Sequence, residues 1–249
     1  MPELWLAEMA DSFWEAAGGF SPDFEATVLF TLPLSLERLP TLTVRQTEQW
    51  LTARNFALPG LGQVPDRRLR ACLVAHGAPG NFILLDKTDP ADEQLFSLAH
   101  EVAHFLLDYV QPRRKAQTNF ATTILEVLDG LRSPNLEERI EGLLAGVRVG
   151  QYEHFMERDS VGGVLSEPVL RAESRADQLA LELLAPEETA LPLVQAAIRA
   201  KPSYAFRLSA AIQVLSQTFS LPATVAQPYA VQLVQLAGGQ TTFREWLNL

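Results

Sequence analysis

The sequence contains little cysteine, few basic side chains and no long apolar run. Its one cysteine excludes an internal disulfide. Lysine and arginine total 20 against 30 acidic residues, and the net charge of −10 disfavours binding to nucleic acid or anionic membranes. No apolar run approaches the length of a membrane span, and the N-terminal stretch lacks the positive charge of a signal peptide. We therefore expect a soluble, cytoplasmic protein with no direct DNA partner and no membrane partner.

Histidine is also scarce, yet two of the four histidines stand four residues apart in the stretch SLAHEVAHFLL. On an α-helix, residues i and i+4 point about 40° apart, so His100 and His104 should lie side by side. Glu101 falls at the edge of the same face, while the apolar residues fall on the opposite side. His-Glu-x-x-His on a helix is the zinc-binding pattern of metallopeptidases, in which the glutamate is the general base and not a ligand.

A catalytic zinc site usually has three protein ligands and one open position, so a third ligand should come from another element. Glu173 is the best candidate, and His76 and His154 are the histidines that remain. In AESRADQLALELLAP, Glu173 and Asp177 again share one helix face, beside alanines that allow close helix approach. Asp177 can accept the second N–H of a zinc-bound histidine and fix its tautomer. The alternative is an amphipathic helix with acidic residues near its N-terminus.

Peptide hydrolysis also needs a group, besides the metal, that stabilises the negative oxygen of the transition state. His154, in the stretch YEHFMER, is the candidate for this catalytic role. A lone histidine is more often structural, and that interpretation stays open. Cys72 lies in a strand-like apolar stretch and is interpreted as a small buried side chain.

Helical periodicity dominates the chain, and the sequence predicts an α+β fold that is predominantly helical. Two apolar runs, Leu69–Ala75 and Phe82–Asp86, flank a turn-rich link and predict a hairpin. The stretch Thr27–Leu36 contains a proline and predicts an edge strand or an extended connector. The expected sheet is antiparallel, has about three strands, and lies beside the helix of the two histidines. Helices are predicted near the N-terminus and at about 43–54, 91–109 (ended by Pro112), 118–157 in two or three pieces, 169–185, 187–200, 203–219 and 222–236, with a final turn at 242–248.

The motifs SLAHEVAH at 97–104, ESRAD at 173–177 and ELLAP at 182–186 resemble the ImmA/IrrE family of metallopeptidases. The resemblance covers about residues 65–110 and 168–236 and is specific at the two metal-binding helices. It implies a minimal gluzincin-like core at 65–186 with a helical insertion at about 111–165. A helical extension at 1–64 precedes the core, and a helical segment at 187–249, similar to a helix–turn–helix, follows it. It also implies intracellular, zinc-dependent cleavage of a transcriptional repressor after DNA damage or mobile-element induction.

The sequence departs from the pattern of the family in three places. The gap between His104 and Glu173 is long, and Ala103 replaces the glycine usual before the second histidine. The predicted helix after residue 222 has no basic residue before Arg244, and Pro228 should interrupt it. A helix that reads DNA needs basic and polar side chains, so this segment is interpreted as a packing or protein-recognition element.

Three functions remain open at this point. The first is a zinc endopeptidase whose substrate is a helix–turn–helix repressor, with Mn²⁺ as an alternative metal. The second is a non-catalytic, metal-containing module that sequesters its partner, although such a module has no use for Glu101 as a base. The third is a DNA-binding regulator, which the net charge disfavours.

Overall fold

The structure is a computed structural model. It describes residues 4–56, 61–76, 80–119, 124–129, 131–133, 135–136, 138–139, 152–158 and 166–238. Within these residues the strands are β1 (Ser35–Leu39), β2 (Leu69–Ala75), β3 (Asn81–Asp86) and β4 (Tyr152–Glu157). The α-helices are α1 (Leu4–Ala16), α2 (Phe24–Thr31), α3 (Val44–Thr52), α4 (Ala91–His104), α5 (Gln111–Asn119), α6 (Ile124–Leu128), α7 (Glu167–Leu184), α8 (Glu187–Ile198), α9 (Tyr204–Phe219) and α10 (Ala223–Leu236). A π-helical turn, Phe105–Val110, joins α4 to α5.

The sheet has four strands in the order β1-β3-β2-β4. The predicted hairpin is confirmed as the antiparallel pair β2 and β3. Strand β4 pairs antiparallel with β2, but β1 pairs parallel with β3. The α+β, predominantly helical fold is therefore confirmed, while the sheet is mixed and four-stranded instead of antiparallel with about three strands.

The two central strands, β2 and β3, are buried on both faces, which explains why their sequences are nearly continuous apolar runs. One face, with Leu73 and Ile83, packs in the main core with α4 and α7. The opposite face packs in a smaller core with α3 and includes Cys72, which is fully buried as predicted. Burial raises the pKa of the Cys72 thiol well above its ordinary value, so the side chain stays neutral.

Helices α4 and α7 pack directly against each other beside the sheet. On α7, Ala176 and Ala180 are fully buried, so the small side chains lie in the core, where they permit the close approach that the sequence predicts. Leu98 and Val102 of α4 are buried in the same core. This packing brings the helix of the two histidines next to the helix of Glu173.

The prediction for Thr27–Leu36 is wrong over its first half, because α2 continues to Thr31 and β1 begins only at Ser35. Helix α2 starts one turn earlier than the apolar run, because the Asp23 side chain accepts a hydrogen bond from the Ala26 N–H at 3.0 Å. The hydrophobic stretch thus belongs to a capped helix, and only its end enters the sheet.

The expectation that Pro112 ends the helix of the histidines is also wrong. The π-helical turn shifts the hydrogen-bond register, so that the Gln111 N–H donates to the Leu106 carbonyl five residues earlier. Pro112 then lies in the first turn of α5, where a missing N–H costs little. The helical path therefore continues to Asn119.

The helices predicted within 118–157 are partly wrong, because their last residues form β4. Helices α5 and α6 lie in this range, the described residues Leu136, Glu138 and Arg139 are also helical, and residues 140–151 lie outside the described residues. In YEHFME the side chains alternate between the two faces of the sheet, which is the period of a strand. The apolar residues Tyr152, Phe155 and Met156 do not alternate regularly with polar ones, so the sequence alone does not mark a strand here.

The C-terminal helices agree with the sequence, except that Pro228 lies inside α10 and does not interrupt it. Buried Ala226, Ala230 and Leu233 hold α10 in the core and offset the lost hydrogen bond. The final turn predicted at 242–248 lies outside the described residues. Among the helices that the structure describes, none combines the length and the apolar run that crossing a bilayer requires.

Arg158 follows β4 directly and anchors the end of this strand. Its guanidinium donates to Asp86 Oδ2 at 3.1 Å and to Asp89 Oδ1, and both acids are buried. Asp86 ends β3, and Asp89 lies just before α4. The ion pairs therefore connect β4 to the strand and helix beside it.

Replacing Arg158 with methionine should lower the free energy of unfolding by about 2–4 kcal/mol, because buried Asp86 loses its cation. The lower end allows for the hydrogen bonds that Asp86 keeps with Thr88 and with the Leu42 N–H. Arg67→Met is the control, since Arg67 pairs with Glu157 at the surface and should lose less than about 1 kcal/mol. Urea unfolding measures both, and equal losses would contradict an anchoring role.

Candidate metal centre

Helix α4 places His100 and His104 one turn apart, with 3.1 Å between their Nε2 atoms. Both imidazoles are almost completely buried, at 2% and 1% exposure, and Glu101 is fully buried. The sequence predicts that these three residues share one side of the helix, opposite the core. That side is itself covered, because α7 and β4 lie over it.

Helix α7 brings both of its predicted acids to this site. Glu173 Oε2 lies 3.3 Å from His100 Nε2, and Glu173 Oε1 lies 3.7 Å from His104 Nε2. One turn later, Asp177 Oδ1 lies 2.9 Å from His100 Nδ1. The two carboxylates therefore contact opposite sides of the same imidazole.

Strand β4 brings His154 into the site. His154 pairs in register with Leu73, so it points to the same face of the sheet as Leu73, toward α4. Its Nδ1 lies 2.9 and 3.1 Å from the two oxygens of Glu101, and its Nε2 lies 3.0 Å from Glu173 Oε1. The ring stacks on His104 with 3.8 Å between centroids. His154 thus connects the predicted base to the predicted third ligand.

Two site residues were missed by the sequence reasoning. Asp108 Oδ2 lies 2.7 Å from His104 Nδ1, and it also accepts a hydrogen bond of 3.0 Å from the Tyr152 hydroxyl. Asp108 follows His104 by four residues, so the i and i+4 rule applied to His100 could have found it. Tyr152 precedes His154 by two residues, but that signal requires β4 to be recognised as a strand.

The donor atoms at the centre fit a divalent cation. His100, His104, His154 and Glu173 each offer one atom, and these atoms all lie within 4.8 Å of one another. Asp177 and Asp108 face the Nδ1 atoms of His100 and His104, which places the ring proton there and leaves each Nε2 as a lone pair. In that tautomer the two Nε2 atoms, 3.1 Å apart and beside a carboxylate, can both donate a lone pair to one metal ion, and without a metal a proton can lie between them. Nitrogen and carboxylate ligands of this kind suit Zn²⁺.

Residues 63–126 match the family model of Peptidase_M78, described as the IrrE N-terminal-like domain. The resemblance to the ImmA/IrrE family is confirmed. The Peptidase_M78 match includes α4 with both of its histidines and Glu101, whereas His154 and Glu173 lie beyond the matched residues. No curated protein sequence matches the chain. The matched segment is similar to a domain of a metallopeptidase family, and its histidines belong to a cluster that can hold a metal.

The carboxylates around the centre favour positive charge on the imidazoles. Burial lowers the pKa of His100, but the hydrogen bonds that its ring donates to Asp177 and Glu173 outweigh this effect and raise the pKa to about 9. Burial likewise lowers the pKa of His154, while the charge and hydrogen bonds of Glu101, together with Glu173, raise it to about 10. Burial raises the pKa of Glu173, yet its three imidazole contacts keep that pKa far below its ordinary value. The negative electrostatic potential of these carboxylates therefore attracts a cation to the site.

Tyr152 stays a hydrogen-bond donor in this surrounding. Burial raises the pKa of its hydroxyl, and the charge of Asp108 and the hydrogen bond to it raise that pKa further. The neutral hydroxyl can therefore donate to Asp108 Oδ2 at neutral pH.

Proposed function

We propose that this chain is a zinc-dependent endopeptidase that acts on a specific intracellular protein. The observation that carries the proposal is the convergence of two Nε2 atoms and a Glu173 oxygen beside a buried glutamate, Glu101, which follows the first histidine. A site that only holds a metal needs the three donors but has no need for a buried base next to them. The match of residues 63–126 to a metallopeptidase family supports the same reaction class.

In this proposal His100, His104 and Glu173 hold the metal, and Mn²⁺ is the alternative to Zn²⁺. The ion supplies Lewis acidity, which polarises a peptide carbonyl and lets water lose a proton near neutral pH. Asp177 holds His100 with its Nε2 toward the centre. The buried surroundings of both histidines exclude bulk water and strengthen these interactions.

Glu101 takes the proton of the attacking water while the water oxygen bonds to the carbonyl carbon of the substrate. It then delivers that proton to the amide nitrogen, the C–N bond breaks, and the free amine leaves. His154 holds the Glu101 carboxylate through Nδ1, at 2.9 and 3.1 Å. Its Nε2–H, which faces the ligand cluster, can donate to the carbonyl oxygen as that oxygen gains negative charge.

The partner that we propose is a helix–turn–helix repressor, cleaved in the cytoplasm in a stress or mobile-element response. The family resemblance of the two metal-binding helices supports this substrate class. The net charge of −10 and the uncharged helix α10 support a protein partner over DNA. Incubation with a protein extract of the producing cells, followed by labelling of new N-termini, would identify cleaved proteins, and repressors should be among those cut only when zinc is present.

A second function is favoured by the position of His154. Its Nε2 lies among the ligand atoms of the other three residues, so four protein ligands could surround the ion. A four-ligand zinc site has no open position for substrate and is typical of structural zinc. In that case the chain would be a metal-containing module that sequesters its partner without cleaving it.

Replacing His154 with alanine distinguishes the two functions. For the endopeptidase, zinc affinity should change less than about tenfold, while the cleavage rate falls by about 10²–10³ because the transition-state oxygen loses a donor. His76→Ala is the control, since His76 lies at the end of β2, outside the candidate ligand group. The two measurements are chelator competition for zinc and the rate of substrate cleavage. A large loss of zinc affinity, with a wild-type chain that cleaves nothing, would favour the sequestering module.

A further inference from the structure

We propose that Tyr152 and Asp108 act as one positioning pair that fixes the ring of His104 and thereby sets the metal affinity of the site. The inference rests on the proposed function, because it assumes that His104 is a metal ligand. It concerns two residues that the reaction itself does not use, on two elements far apart in the chain.

The imidazole of His104 and the hydroxyl of Tyr152 both contact the same atom, Asp108 Oδ2. His104 Nδ1 lies 2.7 Å from that oxygen, and the Tyr152 hydroxyl donates to it at 3.0 Å. The hydroxyl oxygen is also 3.3 Å from His104 Nδ1, so the three groups form a closed triangle. An acceptor held in this way keeps the ring proton on Nδ1 and turns the Nε2 lone pair toward the ligand cluster.

The turn that carries Asp108 is held on both sides of it. Phe105 and Tyr109 are buried and stack with 5.2 Å between ring centroids. The Arg113 guanidinium covers the Tyr109 ring at 3.7 Å. These contacts hold the π-helical turn Phe105–Val110, from which Asp108 extends toward His104.

One face of strand β4 contacts two parts of the site, the carboxylate of Asp108 and the carboxylate of Glu101. Tyr152 pairs with Ala75 and His154 pairs with Leu73, so both side chains point toward α4. Tyr152 contacts the carboxylate that orients a ligand, and His154 contacts Glu101. Asp177, which orients His100 from α7, is 57% exposed, whereas Asp108 is 29% exposed and is held by Tyr152. We therefore expect the metal to depend more on Asp108 than on Asp177.

The test measures the Kd for Zn²⁺ by chelator competition on the full chain, with thermal unfolding of the metal-free protein as a check of the fold. Asp108→Asn should weaken zinc binding by about 10–100-fold, and Tyr152→Phe by about 3–10-fold. The double variant should be weaker than Asp108→Asn alone by less than the Tyr152→Phe factor, because Tyr152 acts mainly through Asp108, its shorter contact. Tyr229→Phe is the matched control, since its buried hydroxyl donates to the Ala185 carbonyl at 2.8 Å and does not reach the ligand group. This control should bind zinc like the wild type.

The visible spectrum of the Co²⁺-loaded chain gives a second readout that a loss of stability alone does not move. Asp108→Asn should change its band positions, because the ring of His104 is no longer fixed. The inference fails if Tyr152→Phe and Asp108→Asn bind zinc as tightly as Tyr229→Phe while the wild type binds it with a defined Kd. It also fails if the two single effects add in the double variant. A wild type that binds no zinc would instead overturn the proposed function itself.

Discussion

Glu101→Gln should retain its zinc and lose substrate cleavage by about 10³-fold, within the range that a general acid–base group contributes. Glutamine has the size of glutamate but cannot take a proton from water or return one to the leaving amine. Its amide oxygen can still accept a hydrogen bond from His154 Nδ1, so the buried position keeps a partner. The variant therefore separates proton transfer from metal binding.

Glu93→Gln is the matched control for this variant, since Glu93 lies on the same helix and pairs with Arg70 outside the candidate ligand group. It should cleave at the wild-type rate. The measurement is the appearance of cleaved substrate over time at equal zinc content, which elemental analysis establishes for each sample. A Glu101→Gln protein that cleaves at the wild-type rate would show that another group is the base.

Glu173→Ala should remove most of the stabilisation that zinc gives to the wild type. At a zinc concentration about a thousandfold above Kd, binding to the folded state adds about 4 kcal/mol, which raises the Tm of a chain of this size by about 8–16 °C. Loss of one ligand weakens binding at least about as much as loss of a residue that orients a ligand, up to 100-fold. At the same zinc concentration a hundredfold loss reduces the stabilisation to about 1.4 kcal/mol, or about 3–6 °C.

Each variant is compared with itself, with zinc and with chelator, so the effect of the substitution on the metal-free fold cancels. Glu167→Ala is the control on the same helix, because Glu167 is exposed and pairs with Arg171 one turn later. It should keep the full zinc-dependent shift. An equal shift in Glu173→Ala and wild type would remove Glu173 from the ligand set.

The parts of the site that the sequence predicts are those encoded within single helices. His100 and His104 follow from a spacing of four, and so do Glu173 and Asp177, because one helix turn brings such pairs to one face. The facing alanines of α7 then indicate close approach to another helix. Helical periodicity therefore predicts the pair on α4 and the pair on α7. Because histidine is scarce in the chain, few other side chains are candidates for the third ligand.

The parts that were missed depend on contacts between distant segments. Residues 152–157 form strand β4 because they pair with the edge of β2. The stretch YEHFMER does not show by itself which segment it pairs with. His154 was predicted as a catalytic group from its identity, but its place between Glu101 and Glu173 follows from the register with Leu73. A shift of one residue would turn it to the opposite face.

The π-helical turn is a second case in which the local rule fails. Proline usually ends a helix, and Pro112 alone predicts that outcome. Packing of Phe105 and Tyr109 in the core favours continuation, and the register shift leaves Pro112 in the first turn of α5. Asp108 lies within this turn. The feature that made the helix prediction wrong therefore also contains a site residue that the sequence reasoning missed.

The most direct test of the account is the metal content of the full chain, purified without a histidine tag and measured by elemental mass spectrometry. The proposed site predicts about one zinc per wild-type chain, the same in Glu167→Ala, and a clear reduction in Glu173→Ala. A wild type that is purified without metal and takes up no added zinc would contradict it, and the buried histidines and glutamates would then need another explanation.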